Sequence, residues 1–183
     1  MSTFGMGSPA NTVLSESGGE ISWGAGAPSG MVLNVVSSSK TDTQTFTNTD
    51  TDETITGLSC AITPKSTSSK ILIMGHLSVG NNTGTARTYC KLFRDSTQVG
   101  LGDAGGNSQD RAMSATDTRE YEQRSIPINF LDSPTIPSTP VEITYTVKLA
   151  SGSQPYHVNK DGEDNGGNHS RCICTLTVME IAG

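Results

Sequence analysis

The sequence has few aromatic and few charged residues, and this scarcity limits the class of fold. Aromatic residues make up 5% of the chain, charged residues 16% and hydrophobic residues 33%. Serine and threonine number 23 and 24, and glycine adds 20. A helical globular protein is richer in Leu, Ala, Glu and Lys, so this composition favours short strands joined by many turns.

The features of membrane-spanning and secreted proteins are missing from the sequence. No apolar run approaches the ~20 residues that a helix needs to cross a bilayer. The first residues, MSTFGMGSPANT, lack the basic region and apolar core of a secretory signal. We therefore expect synthesis in a cytoplasm, where the thiols stay reduced, and no membrane partner.

Positive charge is also scarce. The chain has 12 Lys and Arg against 18 Asp and Glu, which gives a net charge of -6. The basic residues are scattered singly, whereas binding to nucleic acid needs clusters that neutralise phosphates. The sequence therefore predicts no nucleic-acid partner.

Residues 1–30 form a distinct segment, rich in Gly, Ser, Ala and Pro, with no sustained apolar period. One interpretation is a disordered tail, and the other is an arm that becomes ordered on a neighbouring subunit. Large apolar residues are spaced along it, which suits docking into pockets of a partner. These candidate partner-binding residues are Phe4, Val13, Leu14, Ile21 and Trp23. We predict an extended N-terminal arm over 1–30 and a folded domain over 31–183.

Apolar residues alternate with polar ones through most of 31–183, which is the period of a half-buried strand. The strand predictions, separated by Gly, Pro and polar turns, are 31–36, a segment around Phe46, 54–63, 70–79, 88–93, 98–101, a weak one around 111–115, 126–130, 141–149, 155–160 and 171–181. No helix is favoured. The pattern predicts an all-β fold, an antiparallel β-sandwich of jelly-roll type with about eight to ten strands.

Two strands carry additional signals. The alternation changes phase at Gly57, which predicts a bulge or a turn there. The last strand, RCICTLTVMEI at 171–181, is largely apolar on both faces. Strands of that kind are usually buried on both sides, so we expect neighbouring elements to cover both of its faces.

A dinucleotide fingerprint, G-x-G-x-x-G, is present at 100–105 but in the wrong context. The fingerprint needs a preceding strand and a following helix whose N-terminus faces the pyrophosphate. Here the glycines follow a predicted hairpin, and the next residues have no helical apolar face. We expect these glycines to form a loop at a sheet edge, and we predict no cofactor site.

The cysteines are Cys60, Cys90, Cys172 and Cys174, and all four lie in predicted strands. The C-x-C spacing of the last two differs from the C-x-x-C pair of zinc sites. We expect small buried hydrophobic residues. A metal site that combines a cysteine with His76, His157 or His169 is the alternative.

Other candidate sites are weaker. Residues 159–165, NKDGEDN, offer the oxygen ligands that Ca²⁺ prefers but lack the EF-hand order, so a solvated acidic loop is the favoured interpretation. The chain has neither G-x-S-x-G nor H-E-x-x-H. The sequence predicts a protein that is not an enzyme, with no catalytic residue, cofactor or metal.

From Gly30 onward, over about four-fifths of its length, the chain resembles virion proteins encoded by tailed phages of cyanobacteria and other aquatic bacteria. The segments that carry the resemblance are GMVLNVVSSSKTDT at 30–43, ITGLSCAITPKSTSSKILIMGHLSVG at 55–80, KLFRDSTQVGLGDAGG at 91–106, INFLDSP at 128–134 and CTLTVMEIAG at 174–183. The resemblance implies a structural component of the virion with no catalytic residues to carry over.

Two positions in the particle are compatible with this resemblance. We favour a capsid decoration (cement) protein, a homotrimer bound to the major capsid protein, because the chain is short and lacks a shaft, a coiled coil or repeats. The alternative is a tail-fibre or receptor-binding head whose loops, 103–123 and 161–169, face host glycans or proteins. A depolymerase is disfavoured because paired carboxylates of the kind found in glycosidases are missing.

Overall fold

All regular structure in the described part of the chain is β-strand. The computed structural model describes residues 14–17, 20–23, 27–47, 51–81, 84–105, 111–152, 155–167 and 169–183. The strands in chain order are β1 Leu14–Ser17, β2 Glu20–Trp23, β3 Val32–Lys40, β4 Gln44–Phe46, β5 Glu53–Ile62, β6 Lys70–Asn81, β7 Thr85–Arg94, β8 Thr97–Val99, β9 Ser114–Arg119, β10 Gln123–Asp132, β11 Ile143–Ser151, β12 Tyr156–Val158 and β13 Cys174–Ile181.

Two antiparallel sheets contain every strand from β3 onward. In the six-stranded sheet, β13 lies between β3 and β6, and β10 pairs with the other edge of β6. Beyond the first residue of β13, β12 continues along the same edge of β6 and also pairs with β4. In the five-stranded sheet, β11 lies between β5 and β7, and β8 and β9 share the far edge of β7.

The strand order is that of a jelly roll. Eight strands taken in sequence (β3, β5, β6, β7, β9, β10, β11 and β13) correspond to positions B to I of that fold. One sheet then has the order B-I-D-G and the other C-H-E-F. The predicted all-β sandwich of jelly-roll type is confirmed, and its 11 strands among the described residues, β3 to β13, slightly exceed the predicted eight to ten.

The core lies between the two sheets and consists of alternate residues of their facing strands. The fully buried members include Leu58, Ile71, Ile73, Leu92, Ile126, Tyr145, Val147, Leu149, Tyr156, Leu176 and Val178. The Phe46 and Tyr156 rings stack with centroids 4.7 Å apart. Tyr156 also donates its hydroxyl proton to the Leu149 carbonyl at 2.9 Å, which joins β12 of one sheet to β11 of the other.

Several local predictions are confirmed. Strands β7 and β8 form the predicted hairpin, with Arg94 opposite Thr97 and Asp95 at a φ of 52° in the turn. Gly57 has a φ of 80°, and the register between β5 and β11 shifts beside it, as expected for a bulge. Within the described residues no helix has the length and apolarity that crossing a membrane requires.

Other boundaries differ from the predictions. Strand β9 begins at Ser114, three residues after the predicted start, and exposed Val141 precedes β11. Cys172 lies before β13, although all four cysteines were expected within strands. Its backbone N–H instead donates to the Asn159 carbonyl at 3.1 Å. In each case the alternation of apolar and polar residues in the sequence extended beyond the residues that form hydrogen bonds between strands.

The prediction for the last strand is wrong in one respect. The inner positions of β13, from Cys174 to Glu180, are buried, but the outer positions at 175, 177, 179 and 181 are only half-buried. No strand of the two sheets lies over them among the described residues. The apolar residues at these outer positions therefore do not pack against another layer of the sandwich.

Candidate functional site

The N-terminal segment contains a β-hairpin where an extended arm was predicted. Strands β1 and β2 pair antiparallel and form a two-stranded sheet of their own. Leu14 pairs with Trp23, and Glu16 pairs with Ile21. Since paired residues of two strands share a face, three of the five candidate partner-binding positions lie on one face of the hairpin. Phe4 and Val13 lie outside the described residues.

A signal for this hairpin is present in the sequence. Gly18-Gly19 separates LSES from EISW, and Gly-Gly is a dipeptide favoured in two-residue hairpin turns. The segments on either side are only four residues long, and serine occupies the alternate positions. The apolar period was therefore too short to identify them as strands.

The root of the arm is fixed to the end of the chain. The Gly30 N–H donates to the Ala182 carbonyl, and the Ala182 N–H donates to the Met31 carbonyl, both at 2.8 Å. Gly30 has a φ of 85°, a conformation that side chains disfavour. The turn directs the chain into the edge strand β3. Eight residues, 24–31, lie between β2 of the hairpin and β3 of the sandwich in the sequence.

A second candidate site lies in the β9–β10 turn. Tyr121 there is 49% exposed and has a φ of 62°, which is unusual for a bulky residue. Hydrogen bonding to Glu120, and the negative charge of Glu163, raise the pKa of the Tyr121 hydroxyl to about 12. The structure thus brings Tyr121 and Glu163 together, one from each of the two loops, 103–123 and 161–169, that were expected to face the host in the receptor-binding alternative.

The acidic loop at 159–165 uses its carboxylates internally. Asp161 accepts the backbone N–H groups of Glu163 and Asp164 at 3.2 and 3.0 Å, and its other oxygen contacts His169 Nδ1 at 2.6 Å. Burial alone would raise the pKa of Asp161, but these contacts hold it below its usual value. Asp164 forms a bidentate ion pair with Arg171 at 2.8 and 2.9 Å.

This arrangement offers no open set of oxygen ligands for a calcium ion. Across the described part of the chain, no three His, Cys, Asp or Glu side chains are grouped as metal ligands. The acidic loop has an ion-paired interior, with Asp161 buried, that the spacing of its residues did not reveal.

The cysteines are free thiols, and Cys60, Cys90 and Cys174 are buried. Burial raises the pKa of Cys90 to about 12, and burial likewise raises the pKa of Cys174. Cys172, the least buried of the four, contacts the Gln123 side-chain oxygen at 3.2 Å. A thiol of high pKa is a poor nucleophile and a poor metal ligand at neutral pH.

The glycines at 100–105 form a loop, as predicted. Gly100 has a φ of 64° and follows β8, and the residues from 101 to 105 are irregular. A Cβ at Gly100 would touch the Met113 and Phe130 side chains. This loop therefore turns the chain out of the sheet, and no helix follows it in the described residues up to β9.

Comparison with known proteins gives limited information. No protein-family model matches the chain, and no curated protein matches it. A chain of infectious bursal disease virus, Gx strain, is similar in structure with a TM-score of 0.45 at 12% identity, and it covers 94% of this chain. A chain of the Gt strain has a TM-score of 0.42 at 16% identity. This protein spans 42% of either viral chain, and the similarity is too low to assign a function.

Proposed function

We propose that this protein is a non-enzymatic structural component of a bacteriophage virion, made in the cytoplasm of the bacterial host. In the form we favour, it is a capsid decoration (cement) protein. It binds the major capsid protein on the outer surface of the head as an oligomer, a homotrimer, and stabilises the shell. Many copies with modest individual affinity would resist internal pressure by summing their contacts.

One observation carries the proposal. A closed jelly-roll sandwich is accompanied by a separate β-hairpin, which places Leu14, Ile21 and Trp23 on one face, eight residues before the sandwich begins. The two strands of this hairpin pair with each other and with no described strand of the sandwich. A linker of eight residues spans up to about 27 Å, enough to cross a subunit boundary.

The chemistry of the described residues agrees with a binding role. The thiols that have shifted pKa values are poor nucleophiles, and the carboxylates of the acidic loop are held in ion pairs. The resemblance in sequence to phage virion proteins points the same way. Cofactors and metals have no part in the proposal.

Locating the protein in the virion tests the assignment directly. Antibody labelling or a reconstruction of the particle should place many copies on the head surface. Copies found only at the tail tip would contradict decoration and favour the alternative described next.

The alternative function is a tail-fibre or receptor-binding head, and one observation favours it. Tyr121 projects from a strained turn beside Glu120 and Glu163. An exposed aromatic ring among carboxylates is a common arrangement for stacking on a sugar and bonding to its hydroxyls. The variant Tyr121→Ala would abolish adsorption to host cells if this alternative holds, and would leave head binding unchanged if the protein is a decoration protein.

A further inference from the structure

The outer face of the six-stranded sheet carries an unusual row of apolar residues. Met179 of β13 pairs with Val35 of β3 on one side and with Leu72 of β6 on the other. Leu72 in turn pairs with Leu131 of β10. Residues that are directly paired share a face, so these four form an apolar row that crosses four strands.

The apolar row is accessible and is extended by its neighbours. Val35 is 52% exposed and Leu131 49% exposed, at the two ends of the row. Met74, two positions along β6, is 38% exposed, and Val32 at the start of β3 is 49% exposed. Most of the exposed large hydrophobic residues of a monomer are scattered, and a continuous group of this size marks an interaction surface.

Charge is nearly absent from this outer face. Where β13 pairs with β6, the remaining positions of this face on the four strands are Ser37, Ser39, Lys70, His76, Pro127, Asn129, Thr175, Thr177 and Ile181. Lys70, at one end, is the only permanently charged residue among these positions. Depletion of charge around an apolar centre is the compositional mark of the core of an interface.

The outer face of the five-stranded sheet provides the contrast. There Arg87 pairs with Asp117 at 2.9 Å, and Lys91 pairs with Asp52 at 2.6 Å. Lys148 lies 4.3 Å from the centre of the Phe93 ring. The two sides of one sandwich therefore differ, with charged side chains and ion pairs on one face and a neutral apolar surface on the other.

We infer that the outer face of the six-stranded sheet is an interface with a second copy of this chain. Two copies that each carry a net charge of -6 repel one another, so a contact between them must avoid bringing like charges together. The neutral face permits this approach. A surface that binds a protein of different sequence more commonly carries charges opposite in sign to those of its partner, and this face does not provide such charges.

The size of the face agrees with this assignment. Four strands about 4.8 Å apart and about six residues long, at about 3.3 Å each, give a footprint of about 400 Å². A standard interface buries about 800 Å² per subunit, so the face would supply the apolar centre and the surrounding loops the polar rim.

The test is the mass of the full chain in solution, measured by light scattering after size exclusion. The unmodified protein should elute as a multiple of its 19.2 kDa monomer. The double variant Val35→Glu/Leu131→Glu places carboxylates at both ends of the apolar row, and should weaken self-association by at least about tenfold because like charges then face each other. An unmodified protein that is monomeric, or a double variant with unchanged mass, would overturn the inference.

The chain offers a matched control. Val141 is also 52% exposed, and Leu101 is 41% exposed, and both lie away from this face. The variant Val141→Glu/Leu101→Glu adds the same charge and should keep the mass of the unmodified protein. Circular dichroism and thermal melting of both variants separate lost association from lost folding.

A second readout locates the face by its protection from oxidation. In the oligomer, oxidation of Met74 by hydroxyl radicals should be slower than in the Val35→Glu/Leu131→Glu variant, while oxidation of Met113 should be equal in both. Equal oxidation of Met74 in both proteins would contradict the inference. These measurements need no viral particle. A monomeric protein would also contradict the homotrimer of the proposed function, whereas an unchanged mass of the double variant would leave the proposed role in the virion untouched.

Discussion

Arg94 and Asp132 form an ion pair that joins the two sheets. Arg94 Nη1 lies 3.0 and 2.8 Å from the two carboxylate oxygens of Asp132, and Tyr145 donates its hydroxyl proton to one of them at 2.8 Å. Arg94 ends β7 in one sheet and Asp132 ends β10 in the other. The carboxylate is 8% exposed, so solvent screens this pair far less than a surface pair.

Removing the negative charge of Asp132 should therefore cost stability. We expect Asp132→Asn to lower the free energy of unfolding by about 2–4 kcal/mol, because it leaves a partly buried guanidinium without its counter-charge. Asp117→Asn is the control, since solvent screens its exposed pair with Arg87 and the loss of stability should be much smaller. Urea unfolding measures both, and equal losses would contradict the interpretation.

Stability should also depend on His157. Burial, and then the charge of Lys160, lower the pKa of this imidazole, and its Nε2 is buried without a hydrogen-bond partner. The unfolded chain binds a proton near pH 6.5 and the folded chain does so at lower pH, so stability falls as the pH decreases from about 6.5 towards the folded pKa. In His157→Gln this part of the pH dependence should disappear from unfolding curves recorded between about pH 5 and 7.5. An unchanged pH dependence would show that other groups cause it.

Gly75 is required by the close approach of two strands. A Cβ at this position would overlap the Thr175 carbonyl oxygen of β13, which is backbone and cannot move independently. We expect Gly75→Ala to destabilise the fold by about 1–3 kcal/mol, as overpacking does. Gly102→Ala, whose new methyl would make only an ordinary contact at 3.7 Å, should change stability by less than about 0.5 kcal/mol. Thermal denaturation measures the stability of both variants. A loss of stability in Gly75→Ala no larger than that in Gly102→Ala would contradict the close approach of the two strands.

The thiols should react in the order of their exposure. Cys172 is half-buried, whereas Cys60, Cys90 and Cys174 are buried, and burial raises the pKa of the last two. Alkylation of the native protein near pH 8, followed by mass spectrometry of peptides, should modify Cys172 first. Rapid modification of Cys90 would indicate an activated thiol and would weaken the case for a purely structural role.

The sequence predicted the fold class well because the alternation that defines a strand also defines its buried face. The β7–β8 hairpin and the bulge at Gly57 followed from turn residues and from a change of phase. Strand order could not be read, since pairing between β13 and β3, or between β10 and β6, depends on contacts distant in the chain.

The sites were predicted less completely than the fold. The sequence showed that the outer face of β13 is apolar. The position of Met179 of β13 between Val35 and Leu72, however, depends on the register of three strands. Tyr121 and Glu163 are separated by about forty residues, so only the fold brings them together. The hairpin of the arm was missed because its strands are short and rich in serine.

The binding of the protein to undecorated phage heads tests the central claim most directly. The full chain should co-sediment with the heads, and deletion of residues 1–30 should abolish co-sedimentation while the sandwich stays folded. In the full chain, Leu14→Ser/Ile21→Ser/Trp23→Ser should have the same effect, and Ser15→Ala/Ser22→Ala on the other face of the hairpin should have none. Undiminished binding of the truncated and triple-substituted proteins would contradict the role of the arm.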